Sequence, residues 1–163
     1  MNCWPDSYEA GWTVASSVSR KGIGLHSGKD SEVRLLPSDK AGFHLCWIDS
    51  QEPPVTLSLE QVRDSQLCTT VQIGPRRLAT VEHLLAALAG CGISHLNICV
   101  SGEEVPLLDG SAIGWVEAIQ EVGLAPAATP RPSPLVLKHP LICHRGNSVI
   151  TAVPSNDFSL VGV

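Results

Sequence analysis

Thr80-Val81-Glu82-His83-Leu84-Leu85-Ala86-Ala87-Leu88-Ala89-Gly90 is the stretch on which the fold class turns. Val81, Leu84, Leu85 and Leu88 stand at i, i+3, i+4 and i+7, the spacing of one apolar helix face. Thr80 is placed to cap this helix and Gly90 to stop it. A second helical stretch follows Ser111 as cap, with Ala112, Trp115, Val116, Ile119 and Val122 inward and Glu117, Gln120 and Glu121 outward, closed by Gly123. Around these two, runs at 12–19, 32–36, 43–48, 67–73 and 93–100 are apolar or alternating and bounded by Gly, Pro, Ser or Asp, so they read as strands. Gly22 to Gly28 reads as a turn, not a phosphate loop, and Gly74-Pro75-Arg76-Arg77 as a hairpin turn with both arginines solvated at its tip. Strands grouped early, then helix, strand, helix, predict an α+β fold in which a sheet layer packs against two helices.

The chain has 163 residues, enough for one ordinary domain and a piece of another. Eleven Lys+Arg against sixteen Asp+Glu leave a net charge of −5, and only four Trp, two Phe and one Tyr are present. A basic, aromatic-rich surface for nucleic acid is therefore excluded. No apolar run approaches the roughly 18 residues of a membrane span, and the first residues lack the basic and apolar regions of a signal peptide. Cys3, Cys46, Cys68, Cys91, Cys99 and Cys143 contain no CxxC pair, so all six are expected as reduced, mostly core thiols in a cytoplasmic-type compartment.

Four prolines between Pro126 and Pro134 predict a stiff linker over 126–134, separating a domain at 11–125 from a second piece at 135–163. The second piece repeats features of the first. Gly146, Ser148-Val149, Val153-Pro154-Ser155-Asn156 and Phe158-x-Leu160 answer Gly28, Ser31-Glu32-Val33, Leu36-Pro37-Ser38-Asp39 and Phe43-x-Leu45, with short gaps. A unit this long points to a duplicated domain, not a solenoid. The second copy would then stop at Val163 inside a strand, without its remaining strands and helices.

Glu82 and His83 lie off the apolar stripe of the first helix, on an arc shared with Ala86, Ala87 and Ala89. A solvated face would carry Lys, Arg or Glu there, so a second surface, protein or ligand, is expected to cover it. The helix dipole favours a carboxylate at this end. An adjacent Glu-His pair suits a division of labour in which the ring binds zinc and the carboxylate takes a proton from water. The pair is not HExxH, since Ala87 stands at i+4 from His83. This helix supplies one ligand, where a catalytic zinc requires about three. His44, His95, His139 and His144 share no ligand spacing and read as surface or strand residues. Asp109-Gly110-Ser111 reads equally as a site-orienting group or as a turn feeding a helix cap.

Four words stand in one order: Gly24-Leu25-His26-Ser27-Gly28, Leu67-Cys68-Thr69-Thr70, Thr80 to Gly90, and Glu104-Val105-Pro106-Leu107-Leu108-Asp109-Gly110-Ser111. Together they resemble the UDP-3-O-acyl-N-acetylglucosamine deacetylases, zinc amidases that commit a precursor to lipid A synthesis. The resemblance runs from about Trp12 to the end of the chain. Trp115-Val116-Glu117-Ala118-Ile119 is similar to cyanobacterial and plant members, which implies an organellar location if the source is a plant or alga. The resemblance implies two domains of like topology in a ribosomal protein S5 domain 2-like arrangement, the second incomplete here. It implies Zn2+ as cofactor, His83 as a zinc ligand and Glu82 as general base. Leu67, Cys68 and Thr69 match the strand lining the metal cleft, and His26 a histidine at its edge. The substrate implied is an acylated UDP-N-acetylglucosamine. The family's other ligands, in a His-Lys-x-x-Asp motif, and its histidine general acid belong to the missing C-terminal domain and have no counterpart here. Ser148 stands where a basic residue is usual. Two alternatives accompany this reading: a coding sequence cut short, and a catalytically inactive single-domain remnant that acts as a binding or pairing module.

Overall fold

The computed structural model describes residues 4–63 and 65–162. Cys3, read above as a reduced thiol, and the strand read as still running at Val163 lie outside the described residues. The chain divides into two compact units, Met1–Pro132 and Ser133–Val163.

The first unit is α+β. Its main sheet has the order β2-β3-β9-β4-β5, built from β2 (Val18–Ile23), β3 (Asp30–Leu36), β4 (Gly42–Trp47), β5 (Val55–Thr56) and β9 (His95–Ser101). Every pairing is antiparallel except β4 with β9. Parallel neighbours need a long crossover. Here it contains the 3-10 turn Leu59–Gln61, a small sheet of β6 (Val62–Arg63), β7 (Thr70–Ile73) and β8 (Arg76–Leu78), and helix α1 (Glu82–Gly90). Helix α2 (Ile113–Val122) follows β9.

Register sorts the faces of the main sheet. Val18, Leu35, Ile98, Leu45 and Val55 share one cross-strand row, and Arg20, Val33, Val100 and Trp47 the next. The central residues of these rows join Leu84 and Leu88 of α1 and Trp115 and Ile119 of α2 in a single buried core. Arg20, on the edge strand, reaches Glu121 of α2 instead. The opposite face carries Lys21, Glu32 and Arg34, where Glu32 pairs with both cations. Period-two alternation on β3 and β9 produces this division.

Several expectations are corrected. The run at 12–19 is two strands: β1 (Trp12–Val14) pairs with β10 (Leu124–Pro126), and β2 starts at Val18 after a break. Ala15 donates its N–H to Gly123 O within that break, so the two halves serve different sheets. Cys46 and Cys99 form a disulfide. The parallel register sets these two residues opposite one another, a proximity that spacing along the chain does not reveal. Arg76 is no free tip: it binds Asp49 and lies 4.1 Å from the centre of the Trp47 ring. His44 and His95 are strand residues but buried, held by Thr56 and by Ser94 and Thr129 respectively. The start of the expected linker is bound to the first unit, through the pairing of Pro126 with Trp12, the Ala127 N–H to Gly11 O and the Thr129 hydroxyl to Asp39 O.

The second unit contains one antiparallel hairpin, β11 (Leu141–Arg145) with β12 (Ser148–Ala152), turned through Gly146 at φ +59°. Residues 153–162 have no strand. Among the described residues no helix is long and apolar enough to cross a membrane.

Candidate active site

Thr80 does not cap α1. Its backbone is left-handed at φ +58°, a conformation costly for a β-branched residue. Its hydroxyl turns away from the helix to donate to Glu104 Oε1 at 2.8 Å. The residue before the helix is Val81, which has no capping side chain. An orphan donor at this end is met from another direction, as Val81 N–H reaches Thr69 O at 3.3 Å.

Glu82 opens α1 and is half-buried. Its Oε2 accepts the N–H of Thr69 at 2.9 Å. Thr69 thus grips the helix start twice, once through its carbonyl and once through its N–H. His83 is half-buried beside it. Asp109 is held below the usual carboxylate range first by the Ser111 N–H, at 3.0 Å, and its hydroxyl, with His83 adding a smaller pull. Ser111 also accepts the N–H of Ile113 at 3.1 Å, so the Asp-Gly-Ser turn feeds α2.

The outward arc of α1 differs from the one expected. Ala86 and Ala89 are exposed, whereas Ala87 is 2 % exposed and belongs to the core. At about 100° per residue, Ala87 falls next to Leu84 on the wheel and not beside Glu82.

Leu67, Cys68 and Thr69 precede β7 and are not part of a strand. The cause is backbone conformation: Leu67 has φ +60° and projects 94 % exposed, and Ser65 Oγ donates to Cys68 O within the same bend. Cys68 Sγ lies 3.7 Å from Thr70 Oγ1. His26 sits in the turn after β2, exposed, on a cleft of about 500 Å³. Ser27, Thr70, Arg77, Glu103 and Glu104 also line it, but Glu82 and His83 do not. Glu104 links His26 and the Glu82–His83 pair, binding the His26 N–H on one side and the Thr80 hydroxyl, two residues before Glu82, on the other.

Glu104 is the residue that sequence reading passed over. The residue is 2 % exposed. Burial pushes its proton affinity up, but the N–H groups of His26 and Ser27 and the hydroxyls of Ser27 and Thr80 prevail and leave it at about 2. The one available signal was an acidic residue inside Glu104-Val105-Pro106-Leu107-Leu108, an otherwise apolar run.

A zinc site is tested by its donors. His83 is a half-exposed imidazole suited to one coordination position. A catalytic zinc takes about three protein ligands. Among the described residues, no group of three or more His, Cys, Asp or Glu is placed to hold a metal ion. The residues present fit one corner of a zinc site and do not complete it.

Comparison with known proteins places these features in a family. The sequence pattern of the family described as UDP-3-O-acyl N-acetylglycosamine deacetylase matches residues 12–162. The chain is 38% identical over 150 residues to the UDP-3-O-acyl-N-acetylglucosamine deacetylase of Thermosynechococcus vestitus, covering 91% of this chain and 52% of the relative. The protein of the same name from Nostoc sp. is 38% identical over 148 residues, covering 89% and 53%. The one from Geotalea uraniireducens is 37% identical over 153 residues, covering 91% and 48%. The chain thus spans about half the length of the curated relatives it matches. Its order of motifs, its α+β unit and this extent of similarity together make the chain a member of the UDP-3-O-acyl-N-acetylglucosamine deacetylase family.

Proposed function

We propose that the chain carries the base-bearing part of a zinc-dependent site that removes the N-acetyl group of UDP-3-O-acyl-N-acetylglucosamine, the committed step of lipid A synthesis. One observation carries this reading: the first turn of α1 presents Glu82 and His83 side by side, and Glu82 is restrained by the Thr69 N–H at 2.9 Å. Among the described residues Oε1 of Glu82 has no hydrogen bond, so it is the oxygen that would accept a proton from the attacking water. Addition of that water to the acetamide carbonyl gives a tetrahedral oxyanion. Its collapse releases acetate and leaves the free amine on the sugar.

His83 is proposed as one zinc ligand, the other ligands and the general acid coming from a second domain of the enzyme. Bound there, zinc would supply Lewis-acid polarisation of the carbonyl. Cys68, Thr69 and His26 are proposed to meet the substrate along the rim, with Leu67 as an exposed apolar contact. The S5-like duplication belongs to the same proposal. It is supported by the two hairpins, since Gly28 and Gly146 are both left-handed and both stand two residues ahead of the next strand, β3 or β12.

The test is complementation. The 163-residue chain is mixed with the C-terminal half of the Thermosynechococcus vestitus relative, and acetate release from UDP-3-O-acyl-N-acetylglucosamine is followed. Release is expected only with both pieces and zinc present. Glu82→Gln is expected to lower kcat by about 10²–10⁴-fold, the usual contribution of a general base. A folded, associated pair in which Glu82→Gln leaves the rate unchanged would sink the assignment.

A further inference from the structure

The carboxylate of Glu104 has no place in the proposed chemistry, yet it is buried and both its oxygens are hydrogen-bonded. Its two oxygens receive the His26 N–H at 3.0 and 3.2 Å, the Ser27 N–H at 2.7 Å and the Thr80 hydroxyl at 2.8 Å. An ion this deep persists only with such donors. The surrounding backbone is built around it. A Cβ on Gly24 would lie 2.3 Å from Glu104 Oε2 and 2.4 Å from Ser27 Oγ, so only glycine allows the turn to come this close.

The same carboxylate holds a strained residue. Thr80 keeps its left-handed backbone while its hydroxyl is engaged, and the next three residues are Val81, Glu82 and His83. Main-chain bonds fix the strip beside it: Ala79 N–H to Glu103 O at 2.9 Å and Val105 N–H to Ala79 O at 3.0 Å. On the far side Thr69 holds Val81 and Glu82. The start of α1 is therefore suspended between Glu104 and Thr69.

We propose that Glu104 is a positioning residue for the Glu82–His83 pair. By gripping the Thr80 hydroxyl and the His26 and Ser27 N–H groups together, it sets the direction in which α1 begins and the separation of the His26 turn from it. This rests on the reading of Glu82 and His83 as the chemical pair. Glu104 itself touches no reacting atom.

The experiment is NMR on the full 163-residue chain, free and as Glu104→Gln, Glu104→Asp and Glu104→Ala. Gln keeps the shape but presents an NH2 group to converging donors, and Asp is too short to reach all of them. Signals of Ser27 and Thr80 report direct loss of contact. The Thr69 amide, which donates to Glu82, and the His83 ring report transmission to the pair. All four are expected to move in Glu104→Gln and Glu104→Asp. In Glu104→Ala, sodium formate is expected to return them saturably towards their original positions, and sodium chloride is not.

Movement of Ser27 and Thr80 with Thr69 and His83 unchanged in folded Gln and Asp variants overturns the proposal, because Glu104 then serves its own turn alone. Failure of formate in a folded Glu104→Ala chain also counts against it. Should that chain not fold, the Gln and Asp variants decide. These signals require neither substrate nor turnover, so a failed deacetylase reading shows in the complementation assay and leaves this outcome untouched.

Discussion

At the scale of single residues, the informative groups are polar side chains taken out of water. His95 is buried with its ring between the hydroxyls of Ser94 and Thr129, and burial pulls its proton affinity below the ordinary 6.5. A histidine depressed on folding is protonated more readily when unfolded. Its contribution is complete above about pH 6.5 and is lost as the pH falls below that value. The urea midpoint is therefore expected to drop between about pH 7.5 and about pH 5.5, and His95→Gln to flatten that slope. Glu104 gives a second window. Its carboxyl falls from 4.5 to about 2 on folding, so its stabilisation is present above 4.5 and disappears as the pH falls towards 2. The loss amounts to about 3 kcal/mol, and Glu104→Gln should remove this acid limb. Neither group was legible as special in the sequence. His95 stands at the start of a strand like many histidines, and the partners of Glu104 lie 24 and 77–78 positions away along the chain.

At the scale of elements, the turn between β2 and β3 separates two reasons for glycine. Gly24 is required by proximity, since any Cβ would strike Glu104 and Ser27. Gly28 is required by conformation, at φ +63° with nothing within 4 Å of an added Cβ. Gly24→Ala is expected to cost about 1–3 kcal/mol, the range of overpacking. Gly28→Ala should cost about 1 kcal/mol, from backbone strain alone. Equilibrium urea unfolding compares the two, and an equal cost would contradict the close approach of Gly24 to Glu104. Helix α1 shows where periodicity succeeds and where it stops. Spacing located the helix and its stripe of Val81, Leu84, Leu85 and Leu88, because 3.6 residues per turn is a local property. It misplaced the cap, because a left-handed Thr80 is stabilised by a carboxylate from the loop after β9. The run at 67–73 is a strand only from Thr70 onward, as Leu67 at φ +60° breaks the extended conformation that its apolar neighbours suggest.

At the scale of the whole molecule, the single zinc ligand proposed on α1 would not by itself make a zinc site. Metal analysis of the purified chain alone is expected to find less than one tightly bound zinc per chain, since about three protein donors are needed. Stoichiometric zinc that is lost in His83→Ala would mean the chain completes the site by itself. The Cys46–Cys99 disulfide joins neighbouring strands of the main sheet across 53 positions of sequence. Its reduction is expected to lower stability by about 2–4 kcal/mol, read as a lower thermal midpoint together with a gain of two hydrogens in mass. Residue order alone was enough for the α+β class, the two helices, the motif series that marks the family and the adjacency of Glu82 to His83. All of these are written in contiguous or periodic residues, where local backbone geometry governs. The disulfide, the burial of His44 and His95, the ion pair of Arg76 and the Glu104 clamp were decided only by the tertiary structure. Each depends on strand register or on two loops meeting in space, and the energy that selects such meetings belongs to the packed core and to no single stretch of chain.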